Sequence, residues 1–165
     1  MMHKCPLFLK TVFFPLFVLT ISVQTGYSED QGINFALDQI KIITTDGTTL
    51  DFTVEVALTK KQRQQGLMHR ESMDQDKGML FIFPQTGPFE LWMKNTKIPL
   101  DMLFIDELGI VNYIHSMAEP LSTTTIKSEE PVKAVLEING GLSEKLGITP
   151  GSRVVYPAFS VLPNP

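Results

Sequence analysis

Leu50, Phe52, Val54, Val56 and Leu58 alternate with Asp51, Thr53, Glu55 and Ala57 without a slip, three residues after the turn pair Asp46-Gly47. Successive side chains of a strand point to opposite faces, so a period of two marks a half-buried strand. An Asp-Gly pair ahead of it predicts a type I′ hairpin turn. A chain that starts its fold this way is committed to a sheet.

The rest of the chain repeats the theme. "MLFIF" from Met79 and "DMLFI" from Asp101 are apolar on both faces and read as strands covered on both sides. The first is expected to stop at Pro84. "FELWMK" puts Phe89, Leu91 and Met93 on one face and Glu90, Trp92 and Lys94 on the other. "IVNYIH", "VKAVLEI" and "RVVYPAF" supply further strands, with Val132, Ala134, Leu136 and Ile138 on one side of the second. Residues 116–131 read as a long polar loop.

Thr59 followed by Gln62 is a capping-box pattern, so "TKKQRQQGL" predicts a short helix ended by Gly66. A second short helix is expected around Ser143 to Leu146. The fold class is therefore mainly β, an antiparallel sandwich or open barrel with two short helices.

Ahead of this domain, Lys4 and Lys10 precede an apolar run from Thr11 to Val23, and the small residues Gly26 and Ser28 precede the first acid, Glu29. The run is shorter than the roughly 20 residues a spanning helix needs, and the pattern is that of a secretory signal peptide. The expected division is a signal peptide at 1–28, a leader at 29–38 and one β domain at 39–160. Pro15 and the loose cleavage junction leave an uncleaved N-terminal anchor as the alternative. Intact mass of protein recovered from the periplasm or medium should place its first residue near Glu29. Full-length chain held in the membrane fraction would support the anchor.

The whole chain carries 14 Lys and Arg against 18 Asp and Glu, and removal of residues 1–28 takes Lys4 and Lys10 away, leaving 12 against 18. An acidic balance of this kind lacks the basic stripe of a nucleic-acid binder and the polybasic patch of a membrane-surface protein. Cys5, the single cysteine, lies in the signal segment, so the domain has no disulfide, thiol nucleophile or thiolate metal site. Met68, Met73, Met79, Met93, Met102 and Met117, with His69 and His115, offer soft ligands. Most of these methionines fall at apolar strand positions without metal-ligand spacing, so they are expected to fill the core, and no metal or cofactor is expected.

The blocks "GLMHRESM", "GMLFIFP", "WMKNTKIPLDMLFID" and "VLEINGG…GITPGSRV" resemble the DUF192 family, small and often exported bacterial and archaeal domains without an assigned biochemical role. The resemblance runs roughly from Val54 to Val155 and implies a jelly-roll-like β-sandwich. It marks Gly66, Leu67, Met68, Arg70, Gly78, Met79, Phe81 and Phe83. It also marks Trp92, Met93, Asn95, Thr96, Pro99, Leu100, Asp101, Phe104, Glu137 and Gly140. Relatives often carry cysteines in the loop before "VLEING", whereas "AEPLSTTTIKSEEPVK" has none.

Six residues form the candidate ligand site: Arg70, Trp92, Lys94, Asn95, Thr96 and Asp101. Trp92 is either core or an aromatic plate for a ring, since its face also carries Glu90 and Lys94. Arg70 either pairs locally with Glu71 or Asp74 or completes the cleft. Asn95 and Thr96 suit a turn, and Asp101 suits the capping of nearby backbone N–H groups. Glu90, Asp101 and Glu137 could supply a carboxylate pair for glycoside chemistry, but no nucleophile elbow, phosphate loop or zinc-protease motif accompanies them. The expected function is an exported module binding a small polar ligand such as a glycan or cell-envelope fragment. The alternatives are an envelope enzyme using Asp101 in the same cleft, and a protein-interaction domain using a sheet edge or the 116–131 loop.

Overall fold

The alternating segment forms β2 (Thr49–Ala57), which pairs antiparallel with β1 (Ala36–Ile43) as a hairpin, Ile43 opposite Thr49. The structure, a computed structural model, describes residues 32–159, and the expected signal peptide lies outside them. β1 begins inside the segment read as leader. The hairpin turn differs from the two-residue type I′ expected. Gly47 has φ +87°, whereas Asp46 keeps a negative φ, and Gly47 N donates to Thr44 O at 2.9 Å. The connection is a three-residue loop with glycine in the left-handed position, the second arrangement that Asp-Gly permits.

α1 (Lys60–Gln65) carries the full capping box: Thr59 accepts from Gln62 N, and the Gln62 side chain accepts from Thr59 N. It links β2 to the parallel strand β3 (Lys77–Gly87). β3 runs through Pro84 to Gly87, beyond the expected stop. The remaining strands are β4 (Glu90–Leu91), β5 (Leu100–Ile105), β6 (Val111–Ala118), β7 (Ile126–Lys127), β8 (Val132–Asn139) and β9 (Arg153–Val155), with α2 (Leu142–Lys145) after β8. Two elements correct the sequence reading. "FELWMK" keeps only Glu90–Leu91 as strand, paired with Ile126–Lys127, and the polar loop is shorter because β6 extends to Ala118 and β7 lies within it.

Seven strands form one sheet in the order β6-β5-β8-β3-β2-β1-β9, antiparallel except for β2 and β3. The sheet curls until its ends meet at one corner: Val111 N donates to Ser152 O at 2.9 Å and Val154 N to Gly109 O at 2.7 Å. A Cβ on Gly109, at φ +82°, would stand 2.5 Å from Val154 O, so only glycine lets the ends approach. The result is an open half-barrel with two short helices.

The strands in the middle of the order are buried on both faces, as "MLFIF" and "DMLFI" predict. One apolar cluster takes a residue from every strand of the sheet, among them Ile42, Val54, Leu80, Leu103, Val111, Leu136 and Val154. A second lies on the opposite face of β3, β5 and β8, where Met79, Phe81, Met102, Phe104 and Val135 are covered by Leu67, Met93, Ile98 and Ile126 from the connecting segments. Among the described residues no helix is long and apolar enough to cross a membrane.

Candidate functional site

The second cluster is incompletely covered. Between the end of α1, β3 and the segment 90–96 lies a cavity of about 310 Å³. Leu67, Phe81, Phe83 and Leu91 give it an apolar lining, and Gln64, Gln65, Lys94, Thr96 and Thr125 bring polar groups to it. Gly66 helps to hold it open: at φ +47° it ends α1, and a Cβ there would press on the Phe81 ring at 3.2 Å. Arg63 forms one wall, its guanidinium 5.5 Å from the Phe83 ring centroid and donating to the Leu58 and Ile82 carbonyls. Phe83 in turn stacks on Phe89 at 3.6 Å between centroids.

Trp92 stands at the rim with 51% of its surface exposed, while its neighbour Met93 is fully buried. The alternation read from the sequence therefore holds across Phe89 to Lys94, and the core reading of Trp92 does not. Lys94 Nζ lies 5.3 Å from the centre of the Trp92 ring, which is cation–π distance. The chain then turns sharply, with Thr96 N donating to Met93 O at 3.0 Å. Asn95 takes φ +58°, a conformation asparagine tolerates better than most side chains. It is tied to the loop after α1, since its carbonyl accepts from His69 N at 2.8 Å.

Glu137 reaches the same cavity from β8. It is 4% exposed, and burial pushes its carboxyl up to about pKa 8. Its neighbours across the sheet are Met79 on β3 and Met102 on β5, neither of which supplies a charge. A carboxyl held un-ionised at neutral pH and open to a cavity can donate a hydrogen bond, which an ordinary glutamate does not.

Of the six residues singled out from the sequence, Trp92, Lys94 and Thr96 line this cavity. Asn95 sits between them as the turn residue. Arg70 and Asp101 lie elsewhere. Arg70 makes a bidentate pair with Glu55 of β2, both bonds 2.6 Å, beside a separate concavity shared with Ser72, Met73 and Asp74. Asp101 is fully buried and does not reach the cavity. Its Oδ1 accepts from Met117 N at 2.8 Å and Gly141 N at 2.9 Å, and its Oδ2 accepts from Ser143 N at 2.8 Å and Ser143 Oγ at 2.5 Å. Burial acts to raise its pKa, but the bonds from Ser143, Met117 and Gly141 together outweigh burial and hold it below the ordinary value. Asp101 thus staples the end of β6 to the start of α2. The acid at the cavity is Glu137 instead, with Glu90 at the rim.

The family model for DUF192, described as "Uncharacterized ACR", matches residues 41–156. The chain belongs to the DUF192 family. Two solved structures are similar to it in sequence and fold. A Sinorhizobium meliloti 1021 protein, provisionally described as a transcription regulator, is 46% identical, with a TM-score of 0.75 over 77% of this chain and 98% of its own. A protein of unknown function from Novosphingobium aromaticivorans DSM 12444 is 36% identical, with a TM-score of 0.70 over 73% of this chain and 85% of its own. No curated protein matches the chain significantly.

Proposed function

We propose that this DUF192 domain is an exported binding module that takes a small polar ligand with one flat face, such as a glycan unit or cell-envelope fragment, into the cavity beneath Trp92. The observation that carries the reading is a half-exposed indole at the mouth of an apolar-floored cavity with polar groups around it. Aromatic faces bind the C–H face of a ring while neighbouring amides, hydroxyls and ammonium groups bond its rim. The description of the Sinorhizobium meliloti relative is not carried over to this chain, because a net charge of −4 supplies no footprint for nucleic-acid phosphates. The enzyme reading that used Asp101 loses its support, since that carboxylate is occupied by four donors away from the cavity.

Trp92→Ala separates binding from packing. A fully buried tryptophan costs about 3–5 kcal/mol on truncation, and one with half its surface in water should cost about 1–2 kcal/mol. Chemical unfolding of wild type and variant should show the smaller loss, and a glycan-array screen should show wild-type binding that the variant lacks. Because Trp92 is the only tryptophan, its fluorescence reports occupancy without a label. A loss of 3 kcal/mol or more with an unchanged array profile would make Trp92 a packing residue and remove the basis of the proposal.

A further inference from the structure

Glu137 is more than nine-tenths buried and lines the cavity. No enclosed side-chain oxygen among the described residues lacks a partner, so what the Glu137 carboxyl leaves unbonded is open to the cavity. Buried polar groups in folded proteins are almost always partnered, so a carboxyl that faces only this cavity takes its partner from whatever fills it, water or a ligand atom. The charged side chains around the cavity are turned to other partners. Arg63 holds the Leu58 and Ile82 carbonyls, Lys94 lies over Trp92, and Glu90 faces Lys127 at 4.0 Å. On the flanking strands β3 and β5 the residues level with Glu137 are the buried Met79 and Met102. Glu137 is therefore the one charged-type group turned into the buried lining, beside the Thr96 hydroxyl and the apolar Leu67, Phe81 and Phe83.

The complement of such a floor is a short apolar group bearing one hydrogen-bond acceptor, attached to a ring that remains at the Trp92 rim. Resting on the ligand-binding reading above, we propose that the ligand is an N-acylated sugar. Its acyl methyl packs against Phe81, Phe83 and Leu67, and its amide oxygen accepts a hydrogen bond from the Glu137 carboxylic acid. An amine in the same place would require Glu137 to ionise in an apolar setting. A plain hydroxylated sugar would leave the apolar lining unfilled.

Burial keeps the Glu137 proton on at neutral pH, with the pKa at about 8. A ligand that needs the protonated form binds evenly below that value and more weakly above it, by about tenfold between pH 6 and pH 9. The test is titration of the purified protein with N,N′-diacetylchitobiose, its de-N-acetylated counterpart and cellobiose, followed by Trp92 fluorescence from pH 6 to 9. The expected result is binding of the diacetylated sugar alone, with the tenfold loss. Glu137→Gln, which keeps a donor but cannot ionise, should bind more weakly with a flat pH profile. Glu137→Leu should lose binding while unfolding cooperatively. Equal binding of cellobiose, preference for the amine, a flat wild-type profile or retained affinity in Glu137→Leu would overturn the N-acyl assignment and leave the binding module standing. No saturable response to any sugar, on these probes or a wider glycan array, would overturn both.

Discussion

Asp101→Ala is expected to destabilise the domain by about 3–5 kcal/mol, the range found when a buried, fully hydrogen-bonded charge partner is removed. The substitution leaves three backbone N–H groups, of Met117, Gly141 and Ser143, and the Ser143 hydroxyl without their acceptor. Met117 makes the loss worse, because it holds φ +54° and depends on this bond to stay there. Asp101→Asn should recover part of the loss, since one amide oxygen still accepts while the NH₂ group meets two donors. Urea unfolding of the three proteins at pH 7 checks the order. Because the folded carboxyl titrates below its ordinary value, its contribution is present above that value and is lost as pH falls through the lowered one. The gap between wild type and Asp101→Asn should therefore narrow in acid. A loss below about 1 kcal/mol for the alanine variant would contradict the staple role.

Glu137 should produce the opposite pH dependence, and on a comparable scale. Its carboxyl is raised from 4.5 to about 8 by burial, so the folded protein holds this proton where the unfolded chain has released it. The folded state is favoured while the proton stays on. Relative to the charged form, that advantage is complete below pH 4.5, shrinks as pH rises and is gone above about pH 8, a total of about 5 kcal/mol. Glu137→Gln carries no such cost of ionisation. Its stability relative to wild type should rise by rather more than 1 kcal/mol per pH unit between pH 5 and 8, then level off. Urea unfolding of both proteins across that range measures the difference and cancels other titrating groups. A difference independent of pH would mean that Glu137 ionises normally.

These two carboxyls show what was legible in the sequence. Local signals held closely: the Thr59 and Gln62 capping box placed α1 with Gly66 at its end, and the Phe89 to Lys94 alternation put Trp92 on the outward face. Asp101 was legible as a residue that caps backbone N–H groups. Its donors in Met117, Gly141 and Ser143 were not, because they lie 16 to 42 positions away along the chain. Arg70 likewise ignores Glu71 and Asp74 nearby and pairs with Glu55 on β2, an acid on the neighbouring strand face.

Glu137 was hidden for a different reason. An acid among apolar residues in "VKAVLEI" reads as the outward face of a half-buried strand. It is buried only because β8 lies between β3 and β5 and the Leu67 and Met93 segments cover that face. Strand order depends on pairings far apart in sequence, which local periodicity does not encode. The family resemblance marked Glu137, and its burial supplies the physical content.

Amide and indole chemical shifts of the 15N-labelled protein, followed during titration with cell-envelope glycan fragments, test most directly whether the cavity under Trp92 is the binding site. The account predicts that the Trp92 indole N–H and the amides of Gly66, Leu67, Phe81, Thr96 and Glu137 move together and saturate at one affinity. Saturable shifts confined to the concavity around Glu55, Arg70 and Asp74, with the indole unmoved, would contradict it.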